Sequence, residues 1–130
     1  MKFYVGSSMK NCQQVRWYAE ALEDEGWEWA YDWTEHTGEI TLEALAQIGQ
    51  QEQRGIADSD VVIILLPAGR GAHVELGMAL ALGKKVFLCA DSREDFSLEN
   101  TVSFYRIPQI VQLLGSAKEN IEEILKYSHE

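Results

Sequence analysis

The sequence predicts a single-domain, doubly wound α/β fold of the flavodoxin or Rossmann type, with a mostly parallel sheet of about five strands and helices on both faces. Three observations carry this expectation. Apolar or β-branched runs alternate with segments of helical periodicity along the chain. Two of those runs, Val61–Leu66 and Lys85–Ala90, are almost continuously apolar, as strands covered on both faces of a parallel sheet are. Two runs end in a Gly/Ser or Pro/Gly turn that leads straight into a helix. With 130 residues, 46% of them hydrophobic, residues 1–130 read as one domain able to bury a core.

Taken in order, Lys2 to Val5 reads as the first strand, broken at Gly6-Ser7-Ser8. Val15, Tyr18, Ala19 and Leu22 then mark an amphipathic helix ending near Gly26. Ser7 and Ser8 either cap that helix or contact a phosphate or sugar, because this turn lies at the carboxyl edge of the sheet. Trp27–Trp33 alternates apolar and polar residues and is rich in aromatics, which predicts a second strand. Packing accounts for most of these aromatics; Trp33, at the strand's end, is a candidate base-stacking surface. Thr34–Gly38 reads as an exposed loop.

A second helix is predicted from Thr41 to Arg54, with Leu42, Leu45, Ile48, Gly49 and then Ile56 as its apolar stripe. Glu52 continues that stripe, so it faces the core unless the helix end rotates it into solvent. Gln47, Gln50, Gln51 and Gln53 read mostly as a solvated face. Val61–Leu66 is the third strand, followed by the Pro67–Gly71 loop and a small-residue apolar helix from Val74 to Leu82 that Gly83 stops. The fourth strand is Lys85–Ala90. Asp91–Asn100 is polar and irregular, and Thr101–Arg106 is expected to be a fifth, edge strand closed by Pro108. Ser116-Ala117-Lys118-Glu119 has the pattern of a capping box, opening a last helix with the stripe Ile121, Ile124 and Leu125.

Composition narrows the function. A net charge of −10, spread along the chain, argues against a nucleic-acid polymer or an anionic membrane as partner, yet leaves room for a small phosphorylated ligand. Cys12 and Cys89 lack metal-type spacing, and His36, His73 and His129 form no ligand set. The expectation is a reduced, cytoplasmic protein with no structural metal and no cofactor. Met1–Gly6 is too short for a signal-peptide core, and no apolar run reaches spanning length.

The chemistry concentrates in two acids. Glu75 has Gly71, Ala72, Met78 and Ala79 at i±3 and i±4, so no cation on its own helix pairs with it. Such an acid needs compensation. The first turn of a helix would supply it and keep the carboxylate ionised beside a glycine loop, ready to act as a nucleophile. The strand ends at Gly6, Trp33 and Pro67 would converge on one edge with Glu75 and Glu52. Two carboxylates there suit displacement at an anomeric carbon, one attacking and one assisting the leaving group. They would equally suit a cation, although neither acid belongs to a metal-type motif.

Phe3-Tyr4-Val5-Gly6-Ser7, Tyr31-Asp32-Trp33-Thr34, Ala57-Asp58-Ser59-Asp60-Val61-Val62 and the stretch Leu66–Gly77, with its His73-Val74-Glu75-Leu76-Gly77 segment, together resemble the nucleoside 2-deoxyribosyltransferase family, which includes the 2'-deoxynucleoside 5'-monophosphate N-glycosidases. The resemblance implies that Glu75 is the nucleophile that forms a covalent deoxyribosyl ester. It makes Glu52 the second acid, a Glu where the family often has Asp, and Tyr4 the residue that positions the nucleophile. It also implies a homodimer or higher homo-oligomer in which Asn100 of a neighbouring subunit closes the sugar pocket. Where transferases can carry an acid that contacts the sugar 5'-hydroxyl, this sequence has Gly69 followed by Arg70. Exchanging an anion for a cation suits a 5'-phosphate, with Gly6, Ser7, Ser8 and Gly71 in the cradle; otherwise Arg70 is a solvated loop cation. The Pro67-x-Gly69-x-Gly71-x-x-x-Glu75 spacing is also similar to a motif of phosphoribohydrolases that release cytokinin bases, from which Ala68 and Ala72 depart. Both resemblances imply cleavage of an N-glycosidic bond in a small nucleoside or nucleotide. The alternative is a nucleotide-binding or sensing module of the same fold without turnover.

Overall fold

A computed structural model describes residues 1–36 and 38–127; Thr37, in the expected 34–38 loop, and His129 lie outside the described residues. Strand β1 (Lys2–Gly6) leads through a short turn into helix α1 (Cys12–Asp24), and strand β2 (Glu28–Trp29) follows. Helix α2 (Leu42–Asp58), strand β3 (Val61–Leu65), helix α3 (Arg70–Ala81) and strand β4 (Lys85–Ala90) make up the middle of the chain. Strand β5 (Ile110–Leu114) and helix α4 (Ala117–Lys126) complete it. Every strand pair is parallel, and the order is β2-β1-β3-β4-β5. The chain order reverses between β1 and β3, so the carboxyl ends of these two strands flank the crevice in which open α/β sheets bind ligands.

The continuous apolar runs are buried as their composition requires. Val61 to Leu65 and Val86 to Ala90 are all buried, with α1 packing against α4 on one side of the sheet and α2 against α3 on the other. Register follows from this: Tyr4 stands opposite Val62, Gly6 opposite Ile64, and Ile64 opposite Leu88. Among the described residues no helix is long and apolar enough to cross a membrane.

Four elements differ from expectation. The second strand is only two residues long, because Asp32 accepts from the Thr34 amide and turns the chain into a 3-10 turn, Trp33–Glu35. Thr101–Arg106 is not a strand: Ser103–Arg106 is a 3-10 turn, and the edge strand forms beyond Pro108, where Ile110 and Val111 pair with Val86 and Phe87. Helix α3 begins at Arg70 rather than Val74, since Gly71, Ala72 and His73 enter the helix with Gly69 as N-cap. Glu75 is therefore its sixth residue, and no acid lies in its first turn.

The fourth difference concerns α2. Its expected stripe is only partly buried: Ile56 is inaccessible, but Leu42 is 87% and Leu45 49% exposed. Length explains this. Seventeen residues of helix run about 25 Å, whereas a five-residue strand spans about 17 Å. The first turns of α2 thus project past the carboxyl edge of the sheet, and among the described residues little covers them.

The last helix is fixed by a complete capping box: Ser116 Oγ accepts from the Glu119 amide at 3.1 Å, and Glu119 Oε1 accepts from the Ser116 amide at 3.0 Å. Ser116→Ala should lower the unfolding free energy by about 0.5–2 kcal/mol, read as a shifted midpoint in urea with an unchanged slope.

Candidate active site

Three side chains from three elements meet beneath the switch point. Tyr4, on β1, is fully buried. Its hydroxyl donates to Glu75 Oε2 of α3 and lies 3.3 Å from Glu52 Oε2 of α2. The arrangement is a consequence of topology. A residue on β1 faces α2 and α3 on the same side of the sheet, and spacing places Gly49, Glu52 and Gln53 together on the face of α2 that looks at this corner. They line a cavity of about 690 Å³ with Ser7, Ser8 and Met9 after β1, Trp33 after β2, Gly69, Gly71, Ala72, Val74 and Met78 around the start of α3, and Glu75.

The electrostatics of Glu75 depart from the sequence expectation. In the second turn of α3 it receives no help from the free N–H groups of the helix start, and it is only 6% exposed. Burial pushes its carboxyl up to about 8. The Tyr4 hydrogen bond lowers it, while the charge of Glu52 raises it further. The free site is therefore not an ionised nucleophile at neutral pH. It holds a proton on Glu75 beside Glu52. Tyr4 itself is pushed far above the usual phenol range by burial and by the charges of Glu75 and Glu52, so it remains a donor.

The other expected residues divide. Ser7 lines the cavity, but its hydroxyl donates to Leu65 O at 2.9 Å and accepts from Asn11 Nδ2 at 3.0 Å, which ties the ends of β1 and β3 together. Ser8 makes no side-chain capping bond and lines the cavity directly. Trp33 is 7% exposed and donates from Nε1 to Val5 O at 2.7 Å, so only a strip of its ring meets the cavity, from a 3-10 turn rather than a strand end. Gly69 and Gly71 line the cavity; a methyl group at Gly71 would meet nothing within 4 Å. Gly6 ends β1 and is not among the lining residues. Arg70 is the exposed first residue of α3 and Asn100 an exposed residue whose Nδ2 donates to Glu94 O at 3.0 Å; neither lines the cavity.

Sequence reasoning missed Asn11, for which no pattern pointed inward. It also missed Gly49 and Gln53, whose i, i+3, i+4 relation to Glu52 was a usable signal. His73, two residues before Glu75, packs away from the cavity. It stacks on Tyr105 and bonds Gly69 O at 2.8 Å, and so holds the α3 cap.

The family model of nucleoside 2-deoxyribosyltransferases matches residues 3–121. The fold is similar to that of the CMP N-glycosidase BcmB of Clostridium botulinum, with a TM-score of 0.65 at 20% identity over 98% of this chain and 99% of that one. It is also similar to a 2-deoxyribosyltransferase of Bacillus psychrosaccharolyticus, with a TM-score of 0.70 at 17% identity over 92% and 89% of the two chains. Among curated protein sequences none matches.

The buried proton has a measurable consequence. Between the ordinary value of 4.5 and about 8 the folded protein keeps a proton on Glu75 that the unfolded chain has released. More protons bound in the folded state means that stability falls as pH rises through this window. Urea titrations across it should show wild type losing stability relative to Glu75→Gln, and the difference should level off above about pH 8.

Proposed function

The chain belongs to the nucleoside 2-deoxyribosyltransferase family, and we propose that it cleaves the N-glycosidic bond of a 2'-deoxynucleoside or its 5'-monophosphate through a covalent glutamyl–deoxyribosyl intermediate. The observation that carries this reading is the pair of acids, Glu75 and Glu52, lining one cavity with the buried Tyr4 hydroxyl within reach of both. A Glu75 oxygen attacks C1' and forms an ester as the C1'–N bond breaks, and the bonding pair leaves with the base. Glu52 supplies the proton that the departing nitrogen takes. Water, or a second base, then attacks C1' with Glu52 accepting its proton, and Glu75 is released as the carboxylate.

This sequence needs a charge on Glu75, whose proton burial retains in the free site, and a proton to give from Glu52. Tyr4, within reach of both acids, provides a route for the exchange, and positive charge developing on the sugar favours the Glu75 anion. A 5'-phosphate would sit toward Ser8, Gly69 and Gly71, at the start of α3, whose N-cap offers its first amides no side-chain acceptor. Arg70 stands beside them as an exposed cation. Trp33, Met9, Val74 and Met78 offer the base an apolar edge.

Incubation with deoxynucleosides and their 5'-monophosphates should release free base, detected by chromatography. Glu75→Ala should abolish release without unfolding the protein, and Glu52→Gln should slow it by about 10²–10⁴-fold. Nucleotide binding without base release, unaltered in Glu75→Ala, would instead identify a binding module.

The site is open where Met9 and Val74 line it, at 68% and 62% exposure, and the uncovered Leu42 and Leu45 lie on the same helix as Glu52. A second copy of the chain is the proposed cover, and it would bring its own Asn100 to the sugar. Sedimentation should show a dimer. Mixing Glu75→Ala with Asn100→Ala should restore about a quarter of wild-type base release, because half of the randomly formed dimers would hold one intact site.

A further inference from the structure

Gly6 is reserved for the nucleophile rather than for a ligand. It is the last residue of β1, in extended backbone with no positive φ, so conformation alone would admit any residue. Space does not. A Cβ built on Gly6 would lie 2.8 Å from Glu75 Oε1 and 2.9 Å from Ile64 Cδ1. On the other side of the same cluster, a Cβ on Gly55 of α2 would lie 3.3 Å from Cδ2 of the Tyr4 ring and 3.0 Å from Cβ of Tyr31.

We infer that Gly6 and Gly55 are positioning residues for the Glu75–Tyr4 pair: one leaves the slot into which the carboxyl fits at the end of β1, and the other lets the Tyr4 ring lie flat enough under α2 to reach it. Of the two oxygens of Glu75, Oε2 accepts from the Tyr4 hydroxyl, and Oε1 occupies the space that a side chain at Gly6 would fill. A methyl group at position 6 would drive the carboxyl back by about 0.6 Å or more to reach ordinary contact. A hydrogen bond between two fixed elements does not survive such a shift unchanged. Misplacement on the scale of an ångström costs about 10²-fold in rate where reacting groups must be aligned. At Gly55 the contact with Tyr4 is looser, so the effect should be smaller.

This inference rests on the proposed role of Glu75, and the test has a readout that does not. Gly6→Ala is made together with Ile64→Val, which removes the Cδ1 atom and leaves the Glu75 clash alone, and both are compared with Ile64→Val by itself. The Glu75 carboxyl is titrated by carbon-13 NMR in protein labelled at glutamate, with Glu75→Gln assigning the signal. Ile64→Val should leave the titration and the rate as in wild type. In Gly6→Ala/Ile64→Val the midpoint should move by about one pH unit or more, upward as the carboxyl stays buried and loses the Tyr4 hydrogen bond that lowers it. Base release should fall about 10²-fold, in kcat rather than KM; Gly55→Ala should give a smaller loss of the same kind. A Glu75 titration coincident with that of Ile64→Val would overturn the inference, whether or not the protein releases base. A wild-type protein that releases no base would sink the proposed reaction while leaving the titration to decide the role of Gly6.

Discussion

Much of this structure depends on one hydrogen bond, from the Tyr4 hydroxyl to Glu75. It joins β1 to the helix that follows the neighbouring strand β3, across the switch point where the sheet opens. A carboxyl that is 6% exposed, with no Lys or Arg at i±3 or i±4 on its helix, has few ways to remain in a folded protein. Here it is satisfied by a donor too deeply buried to ionise, and by keeping its own proton through the neutral range. Glu52 sits close enough to make the proton a shared matter, because a second charge so near would penalise a first. The buried acid is thus paid for locally, by geometry that also leaves it lining the cavity.

The surrounding elements can be read as support for that contact. Ser7 and Asn11 lock the end of β1 to the end of β3 and to Pro67, so the strand that carries Tyr4 cannot drift relative to the loop before α3. His73 holds the first turn of α3 by donating from Nδ1 to Gly69 O and stacking on Tyr105, which anchors the helix from its far side. Trp33 reaches over to Val5 O and closes the corner above Tyr4. None of these side chains needs to touch a substrate to matter; each removes a freedom that would loosen the Tyr4–Glu75 geometry.

How much of this was legible depended on whether the physics was local. The two buried strands, Val61–Leu65 and Lys85–Ala90, announced themselves because a strand covered on both faces has no polar side to show. Glu52 was found by helical spacing, and its inward orientation follows from the same angle that governs any amphipathic helix. The short second strand was not legible. Its alternation was real, but an Asp32 side chain that bonds the Thr34 amide competes with strand pairing, and that competition is settled by tertiary contacts of Trp33. Edge strand β5 was misplaced because Thr101–Arg106 and Ile110–Leu114 both carry apolar residues around Pro108, and only pairing with β4 selects the second.

The stripe on α2 shows the same limit from the other direction. Leu42, Leu45, Ile48 and Ile56 lie on one face by spacing, and spacing says nothing about whether the protein extends far enough to cover that face. A helix longer than the strands it crosses must leave one end bare, and here the bare end lies on the side of the cavity. Exposed leucines in isolation need no explanation. A row of them that continues the face carrying Glu52, beside lining residues Met9 and Val74 that are themselves mostly exposed, is different. The same helix that delivers an acid to the cavity leaves the apolar residues of its first turns uncovered. Covering that margin would lower the effective dielectric around Glu52 and Glu75 and strengthen the coupling between the two acids. Assembly and acid chemistry would then be two consequences of one helix being longer than its sheet.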